Sequence, residues 1–201
     1  MKLYYKRGAC SLAPHIALEE VEAAYQLIEV DFKTKKCETG ENYLAINGKG
    51  YVPALECHDG TVLTEGIAVL LYIADLNPAI ELAPSPRTPA HYQLIDWMTF
   101  IATELQKNMA SMYNPAQTAE LRANVEAVLN KRLDWVASAL GNKLWLMGNT
   151  YTLADIYLFN ILSWNAYVNF SLDNWPALGA FCARVAERPA VIRALESEGL
   201  V

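Results

Sequence analysis

Cys10 is the first residue in the chain whose type and position could do chemistry. It lies in the stretch YKRGACSLAPHIALEE, after a predicted turn at Gly8 and at or just before the first turn of a helix predicted over residues 11–22. The free N–H groups and the positive dipole end at such a position favour a thiolate. Lys6 and Arg7 would act in the same direction if they faced the sulfur. A small buried cysteine without reactivity explains the position alone equally well.

A second stretch, LTEGIAV, has the groups that bind an amino acid. Thr64 is placed to cap a helix, which leaves Glu65 and the Gly66 N–H in its first turn. A helix N-terminus binds carboxylates, and the Glu65 side chain can accept an ammonium. Together they suit a ligand end that carries both charges. Taken alone, Glu65 is also explained as a first-turn acid that complements the helix dipole.

Two further features lie between these stretches, and neither is decisive by itself. In GYVPALE, Val52 precedes Pro53 at the start of a predicted strand, where proline fits only an edge, a turn or a cis bond. In DFKTKKCETG, Lys33, Lys35 and Lys36 form a basic run that is either a solvated face or a contact for a small anionic ligand.

Composition excludes several classes of function. The 201 residues carry a net charge of −6, which argues against nucleic-acid or anionic-membrane partners. No apolar run is long enough to span a bilayer, and the first residues lack a secretory signal, so we expect a cytoplasmic protein. No metal site is predicted, because the other cysteines and the histidines show no ligand spacing. These residues are Cys37, Cys57, Cys182, His15, His58 and His91.

The elements that must position these residues differ between the two halves of the chain. Strands are predicted at 2–6, 26–31, 52–57 and 61–64, and helices at 11–22 and 65–77, which is an α/β module with a mixed sheet. Residues 78–89 contain four prolines and predict a linker over 78–88. Helical patterns then follow at 89–113, 117–140, 152–168, 174–187 and 189–197, which predict a helical bundle.

The helical half has one structural signal and two ambiguous ones. In YTLADIYLF, Thr152 and Asp155 have capping-box spacing, a structural role. Tyr157 and Trp164 fall on one face of the same helix, where they either pack in the core or line a pocket. Polar side chains recur along the helix at 89–113 and form either a solvent face or a cleft wall. They are Asp96, Thr99, Thr103, Gln106 and Lys107.

Four motifs in this order and spacing resemble the bacterial beta-class glutathione transferases over essentially the whole chain. They are MKLYYKRGACSLAPHIALEE, NGKGYVPALE, LTEGIAVLLYIAD and YTLADIYLF. The resemblance implies a thioredoxin-like glutathione-binding domain with a four-stranded mixed sheet over residues 1–77, and an all-helical domain with an electrophile pocket over 89–201. It also implies a homodimer that uses glutathione as co-substrate and needs no other cofactor.

The resemblance also assigns roles to residues of the first domain. The Cys10 sulfur faces the glutathione sulfur and can form a mixed disulfide with it. Val52, before a cis Pro53, pairs its backbone with the cysteinyl part of glutathione. Glu65 and Gly66 hold the γ-glutamyl end. A further role in glutathione binding, at the glycyl carboxylate, falls to Lys35.

In the second domain the resemblance implies that Thr99, Thr103 and Gln106 contact glutathione, and that Tyr157 and Trp164 border the electrophile. The sequence departs from the family at three positions. Gly66 replaces a serine common in the wider superfamily, Thr99 replaces a frequent asparagine, and Gln106 replaces a frequent histidine. Glutamine can form hydrogen bonds but cannot exchange a proton near neutral pH.

We therefore expect a cytosolic transferase that conjugates reduced glutathione to electrophilic, mostly apolar small molecules. One alternative is glutathione-dependent thiol–disulfide exchange with Cys10 as the nucleophile. Another is a non-catalytic protein that binds apolar compounds or glutathione adducts.

Overall fold

Five strands of the first part of the chain form one mixed sheet in the computed structural model, which describes residues 1–201. The strands are β1 (Lys2–Tyr5), β2 (Gln26–Asp31), β3 (Lys36–Cys37), β4 (Ala54–Glu56) and β5 (Val62–Thr64). Their order is β3-β2-β1-β4-β5, and only the β1–β2 pair is parallel. The predicted count of four strands is wrong by one. The missed strand, β3, has two residues and pairs with Val30 and Asp31 inside the basic run, where composition gives no strand signal.

The sheet contributes to a buried hydrophobic core. In β2 the alternation of the sequence puts Ile28 and Val30 inside while Gln26 is exposed. These two side chains cluster with Tyr4, Cys37, Tyr43, Val52 and Ala54. The segment before β4 is therefore anchored through Val52 in the same core as the central strand.

Four helices belong to the same compact unit, which comprises Met1–Glu81 and Arg188–Val201. They are α1 (Leu12–Glu20), α2 (Tyr43–Ile46), α3 (Gly66–Leu76) and α9 (Pro189–Ser197). Helix α1 packs against both α3 and α9.

The last part of the predicted helical domain 89–201 belongs to the first compact unit, in which α9 packs on α1. Ion pairs of 2.6 Å join Arg188 to Glu20 and Arg193 to Glu19. Helical periodicity identifies an apolar face but not the helix that covers it, so the sequence could not assign α9 to a unit.

The second compact unit comprises Leu82–Glu187, and its secondary structure is helical apart from one β-bridge between Trp145 and Gly148. Its helices are α4 (Pro89–Phe100), α5 (Lys107–Ser111), α6 (Ala119–Leu140), α7 (Leu153–Leu162) and α8 (Pro176–Ala186). A π-helical turn, Ile101–Gln106, joins α4 to α5 within the stretch predicted as one helix. None of the helices in the chain has the length and apolarity needed to cross a bilayer.

Helix α7 is buried along its whole length and begins with a capping box of Thr152 and Asp155. The Asp155 carboxylate accepts hydrogen bonds from the N–H of Thr152 and the N–H of Leu146, both at 2.8 Å. Burial raises the pKa of Asp155 to about 6, against the lowering effect of these hydrogen bonds. The box therefore fixes the start of the helix that carries Tyr157.

Candidate active site

Cys10 lies in the connection between β1 and α1, two residues before the helix begins. Its thiol is partly exposed and donates a hydrogen bond to the Val52 carbonyl oxygen at 3.2 Å. The turn before it is held by Ser11, whose hydroxyl accepts from the Lys6 N–H at 3.1 Å. Lys6 and Arg7 do not serve as thiolate partners in the way the sequence allowed. Both form ion pairs with Glu29, at 2.8 and 3.3 Å.

A buried carboxylate supports the same turn. Gly8 has a φ of +64°, which favours glycine, and its N–H donates to Glu198 Oε2 at 2.8 Å. The other oxygen of Glu198 lies 2.9 Å from His15 Nδ1, and both side chains are fully buried. The sequence predicts no role for His15 or for Glu198. The two residues are 183 positions apart, and no local pattern links them.

Val52 brings the start of β4 to the cysteine. The Val52–Pro53 peptide bond is cis, and Val52 itself is buried. Its carbonyl oxygen is the atom that contacts the Cys10 sulfur. The structure therefore brings together two of the residues to which the sequence gave a role in one site.

The N-terminus of α3 is built differently from the prediction. The expected cap at Thr64 is wrong, because Thr64 ends β5 and the residue at the cap position is Glu65, with a φ of +70° and no side-chain cap. The Glu65 Oε1 atom accepts hydrogen bonds from Lys49 Nζ at 2.5 Å and from the Tyr51 hydroxyl at 2.8 Å. These hydrogen bonds are the main cause that raises the pKa of Lys49 and of Tyr51.

The sequence predicts no site role for either partner of Glu65. Lys49 and Tyr51 lie in the motif NGKGYVPALE, which was recognised only for Val52 and Pro53. No local pattern links either residue to Glu65, which lies 14 to 16 positions further along the chain.

Lys35 is directed towards the same connecting segment. Its φ is +56°, and its ammonium donates to the Gly50 carbonyl oxygen at 2.7 Å while lying 5.3 Å from the Phe32 ring centre. Of the basic run, this is the lysine that contacts the chain next to Tyr51 and Val52.

In the second unit a hydrogen bond connects the residues predicted to border the electrophile with those predicted to bind glutathione. The Tyr157 hydroxyl donates a short hydrogen bond to Gln106 Oε1. Tyr157 is predicted to border the electrophile pocket, and Gln106 is predicted to bind glutathione. The hydroxyl of Thr103 donates to the Thr99 carbonyl oxygen at 2.9 Å across the π-helical turn. Trp164 is buried and packs edge-to-face on Tyr113, with ring centres 5.9 Å apart.

Comparison with known proteins decides the family. The family model "Glutathione S-transferase, N-terminal domain" matches residues 1–75, and "Glutathione S-transferase, C-terminal domain" matches residues 100–189. The chain belongs to the glutathione S-transferase family. Over the full length of both chains it is 44% identical to the glutathione S-transferase GstA of Escherichia coli O157:H7.

Solved structures of glutathione S-transferases agree with this assignment. A ternary complex of BphK, a bacterial enzyme, is 47% identical with a TM-score of 0.97, covering 99% of this chain and 100% of that one. A beta-class enzyme of Sphingomonas chungbukensis is 42% identical with a TM-score of 0.96, covering both chains fully. A sphingomonad enzyme complexed with glutathione has the same identity, TM-score and coverage. The predicted resemblance to the bacterial beta class and the thioredoxin-like fold are confirmed.

Proposed function

We propose that this transferase conjugates reduced glutathione to electrophilic, mostly apolar small molecules. The observation that carries the proposal is the contact of the Cys10 thiol with the Val52 carbonyl, 3.2 Å apart. An extended cysteinyl peptide that pairs with the backbone at Val52, in the manner of an added strand, would place its own sulfur beside Cys10.

The ends of the tripeptide fit the charges around this point. The N-terminus of α3, with the Gly66 N–H and the Glu65 carboxylate, suits the γ-glutamyl end, which carries a carboxylate and an ammonium. Lys35 supplies a positive charge for the glycyl carboxylate. Thr99, Thr103 and Gln106 are proposed as further glutathione contacts, and Tyr157 and Trp164 as the border of the electrophile pocket.

The chemistry requires a glutathione thiolate, which attacks the electrophile faster than the thiol does. Helix-end N–H groups and hydrogen-bond donors stabilise that charge, and a helix dipole near an exposed group contributes about 0.3–1 kcal/mol. Gln106 can support this by hydrogen bonding only. The proposed setting is the cytoplasm, whose reducing conditions keep the required thiols free.

A second candidate function, which the comparisons do not favour, is glutathione-dependent reduction of disulfides by the partly exposed Cys10 thiol. In this scheme the Cys10 thiolate attacks the glutathione sulfur of a mixed disulfide, which forms a Cys10–glutathione disulfide and releases the substrate thiolate. A glutathione thiolate then attacks that disulfide, which yields oxidised glutathione and restores Cys10.

One experiment separates these functions. Binding to immobilised glutathione and turnover of 1-chloro-2,4-dinitrobenzene are measured together with reduction of a glutathione mixed disulfide. We expect Cys10→Ala to retain most of the conjugation and to lose the disulfide reduction. Cys182→Ala is the matched control, because burial raises the pKa of that thiol to about 12 and keeps it protonated. If both activities survive in Cys10→Ala, the cysteine has no part in either. If the wild-type protein binds glutathione but turns over no substrate in a broad panel of electrophiles, it is a non-catalytic binding protein.

We also propose that the chain forms a homodimer through the face of α4 and α6 that bears Trp97, Phe100 and Trp135. The ring centres of Trp97 and Phe100 lie 4.9 and 4.7 Å from that of Trp135. Trp135 is 47% exposed, which is unusual for an aromatic cluster of this size unless another surface covers it.

A further inference from the structure

Lys49 forms an ion pair at the α3 N-terminus that is open to solvent. Its Nζ donates to Glu65 Oε1 at 2.5 Å and to Thr64 Oγ1 at 2.9 Å. The two charged side chains are 45% and 58% exposed. Exposed ion pairs of this kind contribute little to stability, so the pair can be exchanged at low cost for contacts with a ligand.

The charges of a ligand determine whether that exchange is favourable. A ligand that brings only an ammonium would displace Lys49 from Glu65 and leave the lysine without its partner. A ligand that carries an ammonium and a carboxylate on the same carbon can satisfy both side chains at once. The γ-glutamyl residue of glutathione is such a ligand.

A carboxylate bound at the N-terminus of α3 lacks a side-chain partner at position 66. Gly66 is the first residue of α3, and glycine supplies no side-chain donor to a carboxylate bound there. The backbone N–H groups of the helix end remain. Lysine is protonated at neutral pH, and the hydrogen bond to Glu65 raises the pKa of Lys49 further in the structure without a ligand.

On the basis of the proposed function, we infer that Lys49 is a specificity-determining residue that binds the α-carboxylate of the γ-glutamyl residue. In the structure its ammonium forms an ion pair with Glu65. When glutathione binds, the α-ammonium of the ligand takes that place on Glu65, and Lys49 pairs with the α-carboxylate. Lys49 and Glu65 together therefore select a zwitterionic end group.

The test compares two ligands that differ by one carboxylate. S-methylglutathione and its decarboxylated analogue, S-methyl-(4-aminobutyryl)-cysteinylglycine, are titrated calorimetrically into the full-length protein. The methyl group prevents disulfide exchange with Cys10. The variants are Lys49→Met, the charge-conserving Lys49→Arg, and the matched control Lys131→Met, which removes an exposed lysine from α6.

We expect the wild-type protein to bind S-methylglutathione more tightly than the analogue. Lys49→Met should reduce this preference roughly three- to tenfold, because only the carboxylate-bearing ligand loses a charge-assisted contact. Lys49→Arg and Lys131→Met should retain it. An unchanged preference in Lys49→Met, with S-methylglutathione still bound, overturns the inference. Failure of the wild-type protein to bind S-methylglutathione at all would instead overturn the proposed function.

Discussion

At the scale of single residues, Gln106 is the hydrogen-bond partner of the Tyr157 hydroxyl. The Tyr157 hydroxyl donates to the glutamine amide oxygen, which can neither take up nor release a proton near neutral pH. Tyr157 is buried, so its hydroxyl needs an acceptor, and Gln106 provides one.

Replacement of Gln106 by histidine tests whether the missing proton exchange limits turnover. We expect Gln106→His to raise kcat for conjugation by roughly tenfold, because imidazole can act as a base near neutral pH. The measurement is kcat as a function of pH with a chloronitrobenzene substrate. Gln106→Asn is the control, since it retains an amide and should show no gain. An equal or lower kcat in Gln106→His would mean that proton transfer at this position does not limit the reaction.

Residues with a local signal could be found from the sequence, and those that depend on a meeting of distant segments could not. Cys10, Val52 and Glu65 each stand next to a turn, a proline or a helix start. Lys49 and Tyr51 were missed because their role depends on where the segment before β4 reaches the start of α3. The contact of Glu65 with both is a property of the folded sheet and cannot be read from spacing.

At the scale of elements, the start of α7 depends on one buried carboxyl group. Asp155 is fully buried and accepts backbone hydrogen bonds from two segments, Leu146 and Thr152. The sequence was sufficient to predict this cap, because a capping box is encoded within four residues. It did not predict the π-helical turn at Ile101–Gln106, which alters the path of the backbone without altering the apolar pattern.

Because the pKa of Asp155 is raised in the folded protein, we expect the free energy of unfolding to depend on pH. An aspartate in the unfolded chain has its pKa near 3.8, and in the folded protein the value is about 6. Between these values the folded state holds a proton that the unfolded state has released. The free energy of unfolding should therefore fall as pH rises from about 4 to about 6, by no more than about 3 kcal/mol, and then level off.

Denaturant unfolding at pH 4, 5, 6 and 7 checks this contribution. Wild type should lose stability relative to Asp155→Asn as pH rises through this interval. Thr152→Val is the control, because it retains the carboxyl group and should keep the pH dependence. Parallel curves for wild type and Asp155→Asn would show that the group has the same pKa in both states.

At the scale of the whole molecule, the two ends of the chain belong to one unit, and Glu198 joins them. Its carboxylate binds the Gly8 N–H before Cys10 and the His15 side chain in α1. The sequence predicted α9 as a helix but not its place. Its neighbours lie nearly two hundred residues earlier in the chain, and the hydrophobic periodicity of a helix does not identify partners at that separation.

Loss of the Glu198 carboxylate should affect both stability and the turn that carries Cys10. We expect Glu198→Ala to lower the free energy of unfolding by about 3–5 kcal/mol, since it leaves a buried donor and a buried histidine without their partner. Urea unfolding and conjugation kinetics are the measurements. Glu196→Ala, at an exposed position in the last turn of α9, should leave both near the wild-type values. A Glu198→Ala variant as stable as Glu196→Ala would exclude a structural role for the carboxylate.

The proposed dimer makes a prediction about mass in solution. We expect wild type to sediment as a dimer and Trp135→Arg to shift the monomer–dimer equilibrium at least tenfold towards monomer, because a buried aromatic anchor would be replaced by a charge. Tyr167→Arg, at another exposed aromatic position of the second unit, is the control and should remain dimeric. A monomeric wild-type protein, or a dimer unaffected by Trp135→Arg, would contradict the proposed face.

The discontinuous make-up of the first unit has a consequence for synthesis on the ribosome. Leu82–Glu187 are contiguous, so that part can reach its final packing while translation is still in progress. The segment that carries Cys10 is synthesised before these residues, but it can complete its packing only after α9 has been made. The unit that carries Cys10 can therefore complete its packing only after the all-helical unit has been synthesised.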